Sequence, residues 1–300
     1  MSEMNAKYCV KCLTKCDYDS KFCKNCAGSV FTDTLDRAER LEEEKKELIE
    51  GLEFSLNEDG KGYTVVGIGE NRGASSIIIP IEYKGKPVTV IEDRAFRNCQ
   101  NLTNIVIPQS IIKIGEYAFE NCAKIESMII PQSVKFIGVG ALRGCRSLME
   151  LTIPFVGECE TSSTDFGHLF TTDWYHFNQG VPLNLKSVVI TGGKEIHYWA
   201  FKNCFLSINV TLPEGIVCID EEAFDCSNIT KINIPKSVKS IGYAALRTSS
   251  LQEIVFENPF GWQRKGGGLF SKISASMLTN PRQAAETIKT KCGGGSIERI

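Results

Sequence analysis

Histidine is scarce in this chain, with three residues in 300: His168, His176 and His197. No His-Glu-x-x-His, no Gly-x-Ser-x-Gly and no glycine-rich phosphate loop accompanies them, so the local signatures of zinc hydrolases, serine hydrolases and nucleotide-binding folds are missing. A Cys159/His168 pair can be drawn on paper, but thirteen cysteines and three histidines always offer one, and no local pattern supports it. The expected protein is not an enzyme. Also missing is any apolar run near the roughly 18 residues a spanning helix needs, so no membrane span is expected. The opening Met1-Ser-Glu-Met-Asn-Ala-Lys7 lacks the apolar core of a secretory leader. A cytoplasmic location follows as the expectation, with export by a route not readable in the chain as the alternative. Excess charge is missing too, and a net charge of -2 gives no general attraction to nucleic acid or anionic lipid.

What the chain has in abundance is repetition. The run from Ile91 to Pro108, with Ala95, Phe96, Cys99, Leu102, Ile105 and Ile107, returns from Ile114 to Pro131 with Ala118, Phe119, Cys122, Ile125, Met128 and Ile130. Ala95, Ala118 and Ala141 are 23 residues apart, as are Ala200 and Ala223; the step to Ala245 is 22. A fixed period of this size means a solenoid, whose units bury their apolar faces only against one another and build an extended surface. Inside one unit Leu102, Ile105 and Ile107 point inward and Asn104 and Val106 outward, the alternation of a short strand stopped by Pro108. Matching strands fall at Met128–Ile130, Leu151–Ile153, Val188–Ile190, Val210–Leu212, Ile232–Ile234 and Ile254–Phe256, and one parallel ladder is expected, the rest of each unit being turn. Glycine and alanine in Gly-x-x-Ala-Phe let the turn sit close to the next rung, and the aromatic fills the layer between rungs.

The string Ile-Gly-x-x-Ala-Phe-x-x-Cys-x-x-Leu-x-x-Ile-x-Ile-Pro-x-Ser-Val, seen from Ile114 through Val134, resembles the BspA-like leucine-rich repeat family. The resemblance takes in the lead-in from Gly60 to Ile91, a long insertion after Pro154, Leu185 to Gly193, and the tail from Phe256 to Trp262, roughly residues 52–290. It implies a mainly β leucine-rich repeat solenoid with a parallel strand ladder and short turns or helical segments. Members of that family are mostly bacterial surface or host-interaction proteins, which implies adhesion-type binding of a protein, with a glycan or a host surface protein among the candidates.

Ahead of the repeats stand two Cys-x-x-Cys knuckles, Cys9/Cys12 and Cys23/Cys26, ten residues apart. Four thiolates at this spacing suit one tetrahedral structural Zn²⁺, closing a module (residues 1–30) too short for its own core. The pattern resembles small bacterial zinc ribbons, with Cys16 as a fifth cysteine that can compete as a ligand or stay free. Between ribbon and repeats, residues 31–51 read as a charged linker helix, capped by Thr32 or Asp33 and stopped by Gly51. Its Ala38, Leu41, Lys45, Leu48 and Leu52 follow 3-4 spacing, so the chain is a monomer or a weak dimer through this helix. The ribbon also raises a different reading, a nucleic-acid-associated regulator. Lys7, Lys11, Lys15, Lys21 and Lys24 give only a small positive excess there, and the acidic helix would repel phosphate, so no nucleic acid is expected.

The remaining cysteines include Cys99, Cys122, Cys145, Cys204 and Cys226, read as one repeat position holding small apolar thiols. Unpaired thiols beside a zinc site fit a reducing compartment. The solenoid spans 52–260, interrupted at about 155–184 by a segment with Phe166, Phe170, Trp174, Tyr175 and Phe177. Trp174 and Tyr175 are candidate recognition residues, although rings of this size more often bury themselves against the body, leaving His168 and His176 at the rim. Residues 261–300 read as a cap and tail: Trp262 closes the last rung, Asn280-Pro281 starts a helix to about Lys289, and the stretch after Cys292 is expected to be disordered. The partner face is then the outward ladder positions Asn104, Ser127, Glu150, Thr152, Ser187, Asn209, Lys231, Asn233 and Glu253. They are mostly small polar or β-branched, suited to an extended partner. The chain reads as a protein-protein interaction scaffold with the ribbon as tether or second module.

Overall fold

The computed structural model describes residues 6–9, 15–17, 31–32, 51–69, 73–162, 164–171, 180–266, 269–291 and 295–299. Each repeat contributes a strand to one ladder, a two-residue strand to a second, and a turn. In the first ladder Ser76–Ile78 pairs with Asn104–Val106. Ser127–Ile129 lies beside that pair without a ladder pairing to it, and pairs with Glu150–Ile153; Ser187–Ile190, Asn209–Thr211, Lys231–Ile234 and Glu253–Phe256 follow in turn, in parallel and in sequence order. Alternation decides which face is which: Leu151 and Ile153 are buried while Glu150 is exposed, and Ile232 and Ile234 are buried while Lys231 and Asn233 are exposed. The strands begin one residue earlier than the apolar pattern predicts, in the same phase.

The second ladder corrects the expectation of a single one. Lys86–Ile91, Lys113–Ile114 and Phe136–Ile137 pair in parallel, and Glu195–Ile196, Cys218–Ile219 and Ser240–Ile241 do so again after the insertion. After Lys86–Ile91 each of these strands has two residues, too few to show a period of two, so the sequence reads as turn there. Their inward members, Ile91, Ile114, Ile137, Ile196, Ile219 and Ile241, are all buried, and each contributes about 1.5–3 kcal/mol of apolar burial.

Between the ladders the repeated Ala-Phe turns stack. The rings of Phe96 and Phe119 are 5.3 Å apart at 2°, and those of Phe201 and Phe224 are 5.1 Å apart at 2°, close to the rung spacing itself. The glycine before each turn is required by proximity. A Cβ on Gly115, Gly138 or Gly242 would lie 2.4–2.5 Å from the backbone nitrogen of Asp93, Glu116 or Glu221 of the preceding rung. The turn also repeats a left-handed residue at Asn98, Asn121, Gly144, Asn203 and Cys226, a conformation asparagine and glycine tolerate best.

That column relocates Cys226. It lies three residues after Ala223, in the Asn98 and Asn121 position, and it is exposed; the buried slot of Cys99, Cys122, Cys145 and Cys204 is taken in this rung by Ser227.

The insertion turns out to be a rung of irregular sequence. Ile137 N–H donates to Glu158 O, Gly140 N–H to His168 O and Leu142 N–H to Leu169 O, while Phe166 N–H donates onward to Ala200 O. Phe166 and Phe170 are buried, Phe166 against Phe201 at 5.0 Å, so these rings pack inward as the burial argument requires. His168 is not at the rim. It is buried in the 3-10 turn Phe166–Leu169, its Nε2 3.2 Å from Ile137 O, whereas Cys159 Sγ sits by Thr161 Oγ1. Asp165 caps the turn by accepting from His168 N–H. Trp174, Tyr175 and His176 lie outside the described residues.

Both ends of the second ladder are closed by antiparallel strands. Tyr63–Gly67 continues it in parallel and Glu53–Leu56 closes it at the start. At the other end Ser296–Arg299 runs antiparallel to Ser240–Ile241 and carries Trp262–Gly266 and Leu269–Lys272 beyond. The tail is therefore not disordered at 296–299: Ile297 is buried, and its strand pairs an edge that would otherwise be open. Helices α1 (Ala275–Thr279) and α2 (Pro281–Lys291) pack beside Glu253–Phe256, and Asn280 Oδ1 caps α2 as its Asn-Pro start predicts. At the N-terminus Ala6–Cys9 pairs antiparallel with Lys15–Asp17 and with Phe31–Thr32. Residues 31–32 are thus strand, as an aromatic and a β-branched residue allow, and the helix expected after a cap at Thr32 or Asp33 falls on residues 33–50, which lie outside the described residues.

Gly138→Ala is expected to lower stability by about 1–3 kcal/mol, the usual cost of overpacking, measured as a fall in melting temperature with the fold retained. Asp165 predicts a pH effect. Burial raises its carboxyl from 3.8 to about 6, so the folded chain holds this proton more tightly than the unfolded one. The cost of ionising it is absent below about pH 4, grows as the pH rises to about 6 and is constant above. Asp165→Asn, which keeps a capping oxygen, should therefore stabilise the protein at pH 7–8 by about 1 kcal/mol, a gain that vanishes by about pH 4 in pH-resolved thermal unfolding.

Candidate functional site

The outer face of the first ladder carries the expected partner residues in two rows. Ser127, Glu150, Ser187 and Asn209 are register neighbours, and Lys231 and Glu253 continue the row; Ile129, Thr152, Val189 and Thr211 form the second row, with Asn233 beside Val255. Six strands in register give rows about 24 Å long at a ladder spacing of ~4.8 Å. Asn104, Ser127, Glu150, Asn209, Lys231 and Asn233 are exposed; Thr152, Ser187 and Glu253 are half-buried. Several are already engaged: Asn104 Nδ2 with Ser76 Oγ at 3.1 Å, Asn233 Nδ2 with Glu257 Oε1 at 2.6 Å, and Lys231 Nζ with Glu253 Oε2 at 3.1 Å. Glu253 also lies 3.9 Å from Arg282 of α2, which places it at the capped edge of the face.

Val106 departs from its expected outward exposure and is buried. Ile78 stands beside it in register and is buried too, so the face is apolar at its first strands and polar further on.

The thiol column does not offer reactive groups. Cys122 Sγ donates to Phe96 O at 3.1 Å and Cys145 Sγ to Phe119 O at 3.3 Å. Burial pushes Cys145 up to about 12 and Cys204 up to about 11, and a hydrogen bond with Cys99 together with burial raises Cys122, so these thiols stay protonated. They act as packing groups.

A second set of residues lies on the turns, two positions after each alanine: Arg97, Glu120 and Arg143, then Lys202, Asp225 and Arg247. Glu120, buried, is bridged by Arg97 at 2.5 Å and Arg143 at 2.8 Å; Asp225, also buried, takes Arg247 Nε and Nη2 at 2.7 and 2.9 Å with Lys202 at 3.7 Å. The Arg247 guanidinium holds the Asp225 carboxyl below the usual range, as Lys202 does for Glu222. Each half of the solenoid thus stacks cation, anion, cation. This column lies off the outward strand positions, although its 23-residue spacing of charges is readable in the chain. Its cations are spent on carboxylates, so it offers no free strip for phosphate, and the nucleic-acid reading gains no support.

Among the described residues no group of His, Cys, Asp and Glu could hold a metal; Cys9 ends a strand, while Cys12, Cys23 and Cys26 lie outside them. No helix among the described residues is long and apolar enough to cross a membrane.

No curated protein matches the chain. Among solved structures it is similar to a leucine rich cell surface protein of Faecalibacterium prausnitzii A2-165, at 26% identity over 76% of this chain and 58% of that one, with a TM-score of 0.45. It is also similar to a leucine-rich repeat protein of Eubacterium ventriosum, at 22% identity over 64% of this chain and 51% of that one, with a TM-score of 0.42. The chain therefore spans between half and three fifths of those two proteins. In sequence, the BspA type Leucine rich repeat region matches in six copies over residues 71–164 and 175–292, more than two thirds of the chain. With its repeats forming the parallel solenoid described above, the chain belongs to the BspA-type leucine-rich repeat family.

Proposed function

We propose that this protein is a non-enzymatic scaffold whose first ladder presents its outer face to an extended segment of a protein partner. The observation that carries this is the register: a polar row and a largely β-branched row stand side by side over six strands, a surface to which a chain, rather than a compact small molecule, conforms. A glycan is the other ligand the polar part of the rows would suit.

The paired Cys-x-x-Cys knuckles support one structural Zn²⁺ on Cys9, Cys12, Cys23 and Cys26, in a small antiparallel sheet that tethers the molecule or serves as a second contact. A thiolate metal site and the seven described free thiols favour a reducing, cytoplasmic setting. Export to the cell surface, with adhesion as the activity, is the competing setting.

Glu150→Ala with Lys231→Ala should weaken capture of a partner from lysate at least tenfold. The melting temperature should stay put, because the Lys231–Glu253 pair is exposed and worth at most about 1 kcal/mol. Undiminished capture would move binding off this face. Native mass spectrometry of protein purified without reductant should show one zinc per chain, lost in Cys23→Ser, with the other thiols reduced. A zinc-free mass carrying several disulfides would instead point outside the cell.

A further inference from the structure

The turn column has a direction, and it ends unsatisfied. In successive rungs the N–H groups of alternate turn residues donate to carbonyls of the next: Tyr117 to Val139 and Phe119 to Ala141, then Glu222 to Tyr243, Phe224 to Ala245 and Cys226 to Arg247. In the last turn the equivalent donors are Ala244 and Leu246, and neither N–H has an acceptor among the described residues. Both residues are buried, 4% and 3% exposed, where an N–H without a protein partner is costly. They lie on a cavity of about 550 Å³ between this turn and the cap, lined with apolar groups from Ile241, Leu246, Ile288 and Ile297. Phe205 stands at its lip, 64% exposed, and Arg247 and Lys289 border it.

We propose that this cavity receives an extended segment of another protein, laid down as one more turn of the column. The column itself specifies the segment. Two carbonyls, two residues apart, accept from Ala244 and Leu246. The large side chain after the small residue enters the apolar cavity as Phe119 and Phe224 enter the core. An acidic residue at the next position gives Arg247, already paired with Asp225, a second carboxylate, as Lys202 has both Glu222 and Asp225. A second copy of this chain fits less well: its open first turn would set Arg97 against Arg247. This site is separate from the ladder face and does not depend on it.

The probe is a labelled synthetic peptide with the sequence of residues 116–121, a turn of the required pattern, titrated into the full chain by fluorescence anisotropy. Saturable binding is expected, weakened at least tenfold by lysine in place of the second glutamate of the peptide. Phe205→Glu, a change at an exposed position, should weaken it at least tenfold with unchanged melting, and Glu150→Ala with Lys231→Ala should leave it alone. In hydrogen exchange followed by NMR, the Ala244 and Leu246 amides should become protected when peptide binds. Absence of saturation, binding indifferent to Phe205→Glu, or amides that stay fast in the complex would overturn the proposal. So would self-association abolished by Phe205→Glu, which would assign the cavity to a second copy.

Discussion

Neighbouring strands of a hydrogen-bonded ladder lie about 4.8 Å apart, and almost everything else in this protein is fitted to that distance. It brings the backbone of one turn so near the next that Gly115, Gly138 and Gly242 have no room for a Cβ. It sets the parallel phenyl rings of Phe96 and Phe119 at 5.3 Å, and it carries the thiols of Cys122 and Cys145 to the carbonyls of the rung before. Like residues recur every 23 positions because each must meet its own kind at one spacing.

The same spacing governs charge. Identical charges stacked so closely repel, and the turn column avoids this by alternation: Arg97, Glu120, Arg143, then Lys202, Asp225, Arg247. Glu120 and Asp225 are buried, yet each is held between two cations, which offsets the cost of burying the carboxylate. The two stacks are separated by the insertion rung, whose turn Phe166–Leu169 keeps Arg143 and Lys202 from adjoining rungs. The segment that breaks the repeat in sequence thus preserves it in hydrogen bonding, passing the column from Gly140 and Leu142 to Ala200.

Ends are the cost of a solenoid, since each terminal rung leaves one side of its backbone unpaired. Antiparallel strands close both ends of the second ladder, and α1 and α2 lie against the last strand of the first. Among the described residues the last turn finishes without a complement, on Ala244 and Leu246. The chain therefore offers two surfaces of different kinds, a long in-register face and a single open turn.

The sequence by itself determined the repeat, its 23-residue period, the inward rows of the first ladder and the capped helix at Asn280-Pro281, because each is a local pattern several residues long. Only the tertiary structure decided the rest. The second ladder is built mostly of two-residue strands, too short to carry a period of their own. Residues 166–169 form a rung whose neighbours are chosen by space and not by motif. The spacing of Cys226 from Ala223, three residues and not four, is in the chain, but that this position is the exposed left-handed one is a property of the folded turn. The strand Ser296–Arg299, in a glycine-rich stretch with no alternation to announce it, exists because the edge of Ser240–Ile241 is there to be paired. Short or aperiodic segments take their structure from the partner that satisfies their backbone, and that partner is far away in the chain.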